Sequence, residues 1–321
     1  MKKIIISISI MISLISCNKN DIPDLDFKQE MRSFVIGISE YSKTIDPDFL
    51  IISQNGIELV TISGEEDGAL HDSYLSAIDG HGQEDLFYGY YNDDQATPAL
   101  DYTYLKIFLD KSKNAGNTIL VTDYCSTPAK MDNSYNQNYT AGYVSFAASH
   151  RELDNIPDYP NPIYGGNNNV ILALSQVKNF LYLINPQNFN SKTNFINAVT
   201  STNYDLLIMD LFFDETTEFT AGEVTRLKNK ANGGKRLVIS YMSIGEAENY
   251  RYYWQSGWDS GSPSFLDDEN PDWAGNYKVR YWEPEWQKII FGDDNSYTRK
   301  ILNAGFDGVY LDIIDAFEYF E

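Results

Sequence analysis

Cysteine is almost absent, at 2 of 321 residues, and histidine occurs only 3 times. Two cysteines allow one bridge at most, so a disulfide scaffold is excluded. His71, His81 and His150 are scattered, and neither His-Glu-x-x-His nor Cys-x-x-Cys occurs, so no metal site is expected. Basic residues are scarce, 24 against 46 acidic ones for a net charge of −22, and a polyanion such as nucleic acid would meet repulsion rather than a basic footprint. There is no Gly-x-Ser-x-Gly of a serine hydrolase elbow, and no Gly-x-Gly-x-x-Gly or phosphate loop, so no cofactor is implied. The longest apolar run, Ile4 to Ile15, is too short to span a membrane. What is abundant is apolar and aromatic side chain, 43% and 14% of the chain, enough to bury a large core.

Lys2 and Lys3 precede that apolar run, and Leu14-Ile15-Ser16-Cys17 closes it, the layout of a secretory signal. The tetrad resembles a bacterial lipobox, in which Cys17 becomes the lipidated first residue of the mature chain. The expected organisation is a signal peptide over 1–16, a lipidated N-terminus and polar tether over 17–26, and a single domain over 27–321. The expected location is the bacterial cell envelope, at the outer membrane or cell surface, with membrane contact through the lipid anchor. Removing residues 1–16 takes two lysines and moves the charge from −22 to −24. Cys125 reads as a small core residue at a strand end.

Three stretches share one pattern of helical run, glycine stop and apolar strand ending in polar residues. They are Leu105–Lys113 with Gly116 before Thr118–Tyr124, Val224–Lys230 with Gly233-Gly234 before Arg236–Ser243, and Tyr297–Leu302 with Gly305 before Asp307–Asp312. Glycine just past a helix supplies its left-handed cap, and strands apolar on both faces are those of a parallel sheet covered by helices. Phe49–Ile52, Phe180–Ile184, Tyr204–Met209 and Lys278–Tyr281 are further strands of this type, with a weaker one near Ala77–Phe87. The count of about eight strands is that of a closed (β/α)8 TIM barrel. Phe27, Met31, Phe34, Val35, Ile38 and Tyr41 recur at helical spacing, so the domain opens with a helix. Only Ala316–Glu321 follow the last strand, which needs a covering helix, and the opening helix fills that vacancy if first and last strands are neighbours.

Barrel enzymes work at the C-terminal ends of their strands. Those positions hold Gln54 and Asn55, then Glu84 and Asp85, then Asp123 and Tyr124. Asn185 and Asp210 follow the fourth and fifth strands, Ser243, Glu246 and Glu248 the sixth, Glu283 the seventh, and Asp312 with Asp315 the eighth. Carboxylates and amides thus ring one rim among many aromatics, the equipment of glycoside hydrolysis by paired carboxyls.

Tyr204-Asp-Leu-Leu-Ile-Met-Asp210, Val238-Ile-Ser-Tyr-Met-Ser-Ile-Gly-Glu-Ala-Glu248 and Gly305-Phe-Asp-Gly-Val-Tyr-Leu-Asp-Ile-Ile-Asp315 resemble the family 114 glycoside hydrolases, typified by endo-α-1,4-polygalactosaminidase. In that family the strand of the first motif is second and that of the last is fifth, with three more downstream. Here the missing strands lie in front. Phe49–Gly56, Ile78–Tyr88 and Ile119–Tyr124 look like the family's sixth, seventh and eighth, and Asn179–Asn185 like its first, so the resemblance implies a circularly permuted barrel. Its two catalytic acids carry over to Asp312 and Glu84, with Asp312 expected as nucleophile and Glu84 as acid/base, roles exchangeable. Asp85 competes with Glu84 and Asp315 with Asp312, but alternation along a strand sends only one of two neighbours inward. Tyr241, Trp282, Tyr88 and Tyr124 are candidate sugar platforms, and Asp210 and Glu246 candidate contacts to hydroxyls or amines. The expected activity is a lipid-anchored glycoside hydrolase acting on an envelope or extracellular polysaccharide, with galactosamine-containing polymers foremost. Carboxyl separations of about 5–5.5 Å or roughly 6.5–9.5 Å would mark a retaining or an inverting mechanism. A glycan-binding lipoprotein without catalysis is the alternative on the same scaffold.

Overall fold

The computed structural model describes residues 22–321; the expected signal peptide, Cys17 and the start of the tether lie outside the described residues. In chain order the strands are β1 (Leu50–Gln54), β2 (Gly80–Glu84), β3 (Thr118–Tyr124), β4 (Val144–Ala148), β5 (Phe180–Tyr182), β6 (Leu206–Asp210), β7 (Leu237–Ser243), β8 (Glu246–Glu248), β9 (Leu266–Glu269), β10 (Asn276–Val279) and β11 (Gly308–Asp312). The α-helices are α1 (Phe27–Ile45), α2 (Asp72–Ala77), α3 (Ala99–Asn114), α4 (Pro128–Ala141), α5 (Lys192–Thr200), α6 (Ala221–Leu227), α7 (Pro284–Ile290), α8 (Tyr297–Asn303) and α9 (Phe317–Phe320).

Eight parallel strands form one sheet in the order β4-β3-β2-β1-β11-β7-β6-β5, nearly closed into a TIM barrel. Its two end strands meet through side chains: the Phe146 ring of β4 lies 5.7 Å from Phe180 of β5. Gly116 and Gly305 take φ of 112° and 79° just past α3 and α8, the left-handed turn that the sequence pattern requires.

The opening helix sits where periodicity placed it. Asp26 caps α1 by accepting from the Gln29 amide, and Met31, Phe34, Val35 and Ile38 are buried along one face. On one flank Ser39 donates to the Ala77 carbonyl at 2.6 Å, and on the other Tyr41 donates to the Asp293 carbonyl at 2.8 Å. The first strand β1 and the last strand β11 pair in parallel from Leu50↔Gly308 to Ser53↔Leu311, so α1 covers the last strand's side of the barrel.

Two strand expectations are corrected. Val144–Ala148 is a barrel strand, and the Lys278–Tyr281 stretch contributes instead to β10 of a small antiparallel sheet, ordered β8-β10-β9. Counting from β5, the Asp312 strand is therefore fourth around the barrel rather than fifth. Glu283, expected on the rim, is the N-cap of α7 and accepts from Ser264 at 2.7 Å.

Alternation sorts the side chains of each strand. Tyr182 and Tyr310, from strands three apart in the sheet order, meet inside the barrel at 5.3 Å between ring centroids. The Tyr310 hydroxyl lies directly over Gly82, at the place a Cβ would occupy, so β2 must carry glycine there for the ring to fill the interior. Two residues on from Gly82 and from Tyr310, on the same inward face, stand Glu84 and Asp312.

Candidate active site

Glu84 ends β2 and Asp312 ends β11, at the same rim, with β1 between them. Three donors converge on Glu84. Gln54 Nε2 donates to Oε2 at 2.6 Å, Asn55 Nδ2 reaches the same oxygen at 3.5 Å, and the Tyr124 hydroxyl donates to Oε1. Gln54 is itself fixed, because the buried Tyr182 hydroxyl donates to its Oε1 at 2.9 Å from across the barrel. The Asn55 side-chain oxygen accepts the Glu84 backbone N–H at 3.1 Å and Gln83 Nε2 at 3.2 Å. One amide thus sets the backbone at Glu84 while another sets its carboxylate.

Asp312 is treated differently. Its Oδ2 accepts from the Tyr241 hydroxyl at 2.6 Å. Burial, and after it the negative charge of Glu84, raises its carboxyl to about 8, although the Tyr241 bond pulls the other way. Asp312 therefore holds a proton at neutral pH. Asp315, beyond the turn, is raised to about 7 by burial and then by Glu318.

The three strands that build the site end alike. Asn55 after β1, Asp85 after β2 and Ile313 after β11 take φ of 58°, 58° and 57°, and the last is a β-branched residue in a left-handed conformation. Such strain costs of order 1–3 kcal/mol each and concentrates where a side chain has to be aimed. Here it lets each strand turn away at the residue that follows its site group.

The neighbour of each acid is accounted for. Asp85 is turned off the strand and bound by Arg151, whose NH2 donates to Oδ1 at 2.9 Å and to the Gly89 carbonyl at 3.0 Å. Burial raises the Asp85 carboxyl to about 6 against the effect of that arginine. The same guanidinium lies 3.9 Å over the Tyr124 ring, so that one face of the tyrosine is covered by a cation and its hydroxyl is spent on Glu84.

Other expected site residues divide between rim and scaffold. Asp210, at the end of β6, is buried and held bidentately by Arg251 at 3.0 and 2.7 Å, and Arg251 also grips Glu248 at 2.5 Å. Glu246 accepts from Asn270 at 2.8 Å, while its buried Oε2 has no hydrogen-bond partner. Ser243 donates to the Glu246 carbonyl at 3.1 Å. Asp123 points outward, opposite to Tyr124, and accepts from the Phe87 and Tyr88 amides, Ser134 and Asn138, which ties α4 and the loop after β2 to β3. Tyr88 donates to Asn133 at 2.8 Å within the outer core, and Asn185 donates to the Glu152 carbonyl at 2.6 Å. Trp282 packs between Phe27 at 5.1 Å and Phe320 at 4.7 Å. These last four are packing and bracing residues.

A cavity of about 330 Å³ opens beside Glu84. Six carboxylates line it, from Glu58, Glu84, Asp85, Asp101, Asp315 and Glu318, together with Tyr90 and Tyr104, and no lysine or arginine does. The buried Gln83 Oε1, also in its lining, lacks a hydrogen-bond partner. A larger hollow of about 680 Å³ lies on the flank between α3 and α4, lined by Lys106, Asp110 and Gln137, away from the strand ends. No cluster of His, Cys, Asp or Glu suited to a metal ion occurs among the described residues.

Sequence reasoning missed Arg151 and Tyr182. Arg151 follows the strand that periodicity did not find, and Tyr182 acts from the opposite wall of the barrel.

Residues 178–321 match the model of glycoside-hydrolase family GH114. An uncharacterized protein of Methanocaldococcus jannaschii is 44% identical over 126 residues, 39% of this chain and 34% of its own length. One of Deinococcus radiodurans is 42% identical over 123 residues, covering 38% and 37%, and one of Thermotoga maritima 37% identical over 123 residues, covering 38% and 36%. The chain thus spans about a third of the length of the curated relatives it matches. The family match includes Asp312 and ends short of Glu84, which stands in the other half of the barrel.

Proposed function

We propose that this chain, a member of glycoside-hydrolase family GH114 through its residues 178–321, cleaves an amino-sugar polysaccharide by means of Asp312 and Glu84. The carrying observation is the unequal environment of two carboxyls on one rim: Asp312 is raised to about 8 beside the charged Glu84. Glycoside hydrolysis needs one carboxyl to protonate the leaving oxygen and a second, ionised, to attack the sugar carbon or activate water. Asp312 with its proton serves as the acid. Glu84, acceptor to Gln54, Asn55 and Tyr124, serves as nucleophile or base, which exchanges the roles first expected from the sequence.

The six carboxylates of the cavity beside Glu84, with no cation among them, favour a sugar bearing a free ammonium group, so a de-N-acetylated, galactosamine-containing polymer is the first substrate to try. We read the N-terminus as a lipoprotein signal with Cys17 as anchor, which places the enzyme at the bacterial envelope. We also read the chain as a circular permutation in which β1–β3 stand for the family's last strands. The test is hydrolysis of galactosamine polymers and other amino-sugar glycans by the soluble domain, read by product mass and by the anomer released. Turnover lost in Asp312→Asn with polymer binding kept supports the enzyme; binding without turnover in the unmodified protein leaves a glycan-binding lipoprotein.

A further inference from the structure

A barrel that opens with a strand receives its chain at the N-terminal ends of the strands, on the side opposite its reactive rim. This one opens with α1, which runs against β1, so the entry is reversed. Asp46 and Asp48, just after α1, line a cavity with Leu50 and Asp307 at the N-terminal ends of β1 and β11. The start of α1 is at the other end. Lys28 pairs with Glu321 at 2.5 Å and lies 4.7 Å over the Phe317 ring, and Arg32 donates to the carbonyls of Leu59 at 2.9 Å and Thr61 at 2.6 Å, all of them beyond the C-terminal ends of β11 or β1. The chain therefore joins the fold at the rim that carries Glu84 and Asp312.

We infer that this rim is held toward a lipid surface and acts on polymer lying at that surface. The inference rests on the lipid-anchor reading of Cys17 given above. Asp26 is nine positions on from Cys17, and an extended chain of that length spans about 30 Å at most. The 19 residues of α1 extend roughly 28 Å away from that attachment, so the far end of the barrel stands off while the rim stays within reach. An acidic rim does not seat on anionic headgroups, but it leaves a gap bordered by negative charge on both sides. A cationic polymer is drawn into such a gap from either wall.

Energy transfer to a membrane dye tests this without any assay of turnover. The full chain, processed in a bacterial host, is reconstituted in vesicles of phosphatidylethanolamine and phosphatidylglycerol carrying a rhodamine lipid. A donor is attached at Tyr91→Cys, on the loop after β2 where the side chain is 69% exposed, or at Leu172→Cys, 78% exposed beside Asp46 and Asp307 at the far end. Transfer from the rim label is expected to exceed that from the far label by about twofold or more, given the roughly 28 Å that α1 puts between the ends. Equal transfer, or greater transfer from Leu172→Cys, in protein whose binding to vesicles is lost with Cys17→Ala overturns the orientation and leaves the anchor standing. Vesicle binding that is absent, or indifferent to Cys17→Ala, removes the anchor and the inference with it.

Discussion

At the scale of single residues, Asp312 binds its proton because burial and then the charge of Glu84 oppose its ionisation. Both activity and stability then fall as pH rises, but replacing Asp312 acts on them with opposite sign. In the acid role proposed for it, it works only while protonated, so the rate is expected to fall as pH rises through about 8, as a pH–rate profile would register. Asp312→Asn is expected to lower kcat by about 10²–10⁴-fold. For stability, the folded state keeps a proton that the unfolded chain releases near its ordinary value of 3.8. Stability is therefore lost as pH rises between those values, and the loss is complete above about 8. Each unit is worth about 1.4 kcal/mol, so even half of the shift makes Asp312→Asn stabilising by about 2–3 kcal/mol near pH 8, with little gain near pH 4. Urea titrations at the two pH values check it, and a destabilised variant at pH 8 would contradict the assignment. The placement of Asp312 and Glu84 at one rim was legible in strand-end position. Their unequal surroundings were not, since these depend on Tyr241, Gln54 and Tyr124 turning their polar atoms onto one carboxyl or the other, which spacing along the chain does not encode.

Among the elements, strands rich in large apolar side chains were readable, and one of weak hydrophobic contrast was not. Val144–Ala148 carries a serine and two alanines and gives little hydrophobic contrast, yet it pairs with β3 from Leu120↔Val144 to Tyr124↔Ala148. The Lys278 stretch has the alternation of a strand and is one, but it pairs antiparallel to β8, a choice made by partners distant in sequence. The long excursion between β7 and α7 is fastened to the barrel by Arg251, buried between Asp210 of β6 and Glu248 of β8. Removing that cation leaves two buried carboxylates without their shared counter-charge. Arg251→Met is expected to destabilise the domain by about 3–5 kcal/mol, because an uncompensated buried charge costs more than the pair was worth. Neutralising both acids as well, by Asp210→Asn and Glu248→Gln, recovers much of the loss. Chemical denaturation of the single and triple variants measures both steps, and equal instability of the two would show that packing of the arginine stem, rather than charge, holds the excursion.

Across the whole molecule, chain order follows barrel order all the way round, so the break in the chain can be moved without moving a strand. The present break lies beside β1 and β11, whose flanking ends adjoin through the Lys28–Glu321 pair. The weakest seam of the sheet is elsewhere, between β4 and β5, and residue 178, where the family match begins, stands just before β5. If the chain is a permuted form of the family's order, a chain restarted at that seam should fold to the same barrel. Such a chain begins at Asn161, in an exposed stretch, runs to Glu321, passes through a flexible linker of about six residues that reaches roughly 20 Å, and continues from Asp26 to Pro160. It keeps every strand pairing described above and places Glu84 after Asp312 in sequence. The expected outcome is an unchanged far-ultraviolet circular dichroism spectrum and cooperative urea unfolding with the m-value of the original chain, since the surface buried on folding is the same. Two separate transitions would mean that the halves 26–160 and 161–321 fold independently. In that event the covalent link between β4 and β5, rather than the barrel as a unit, is what couples the two halves in the natural order of the chain.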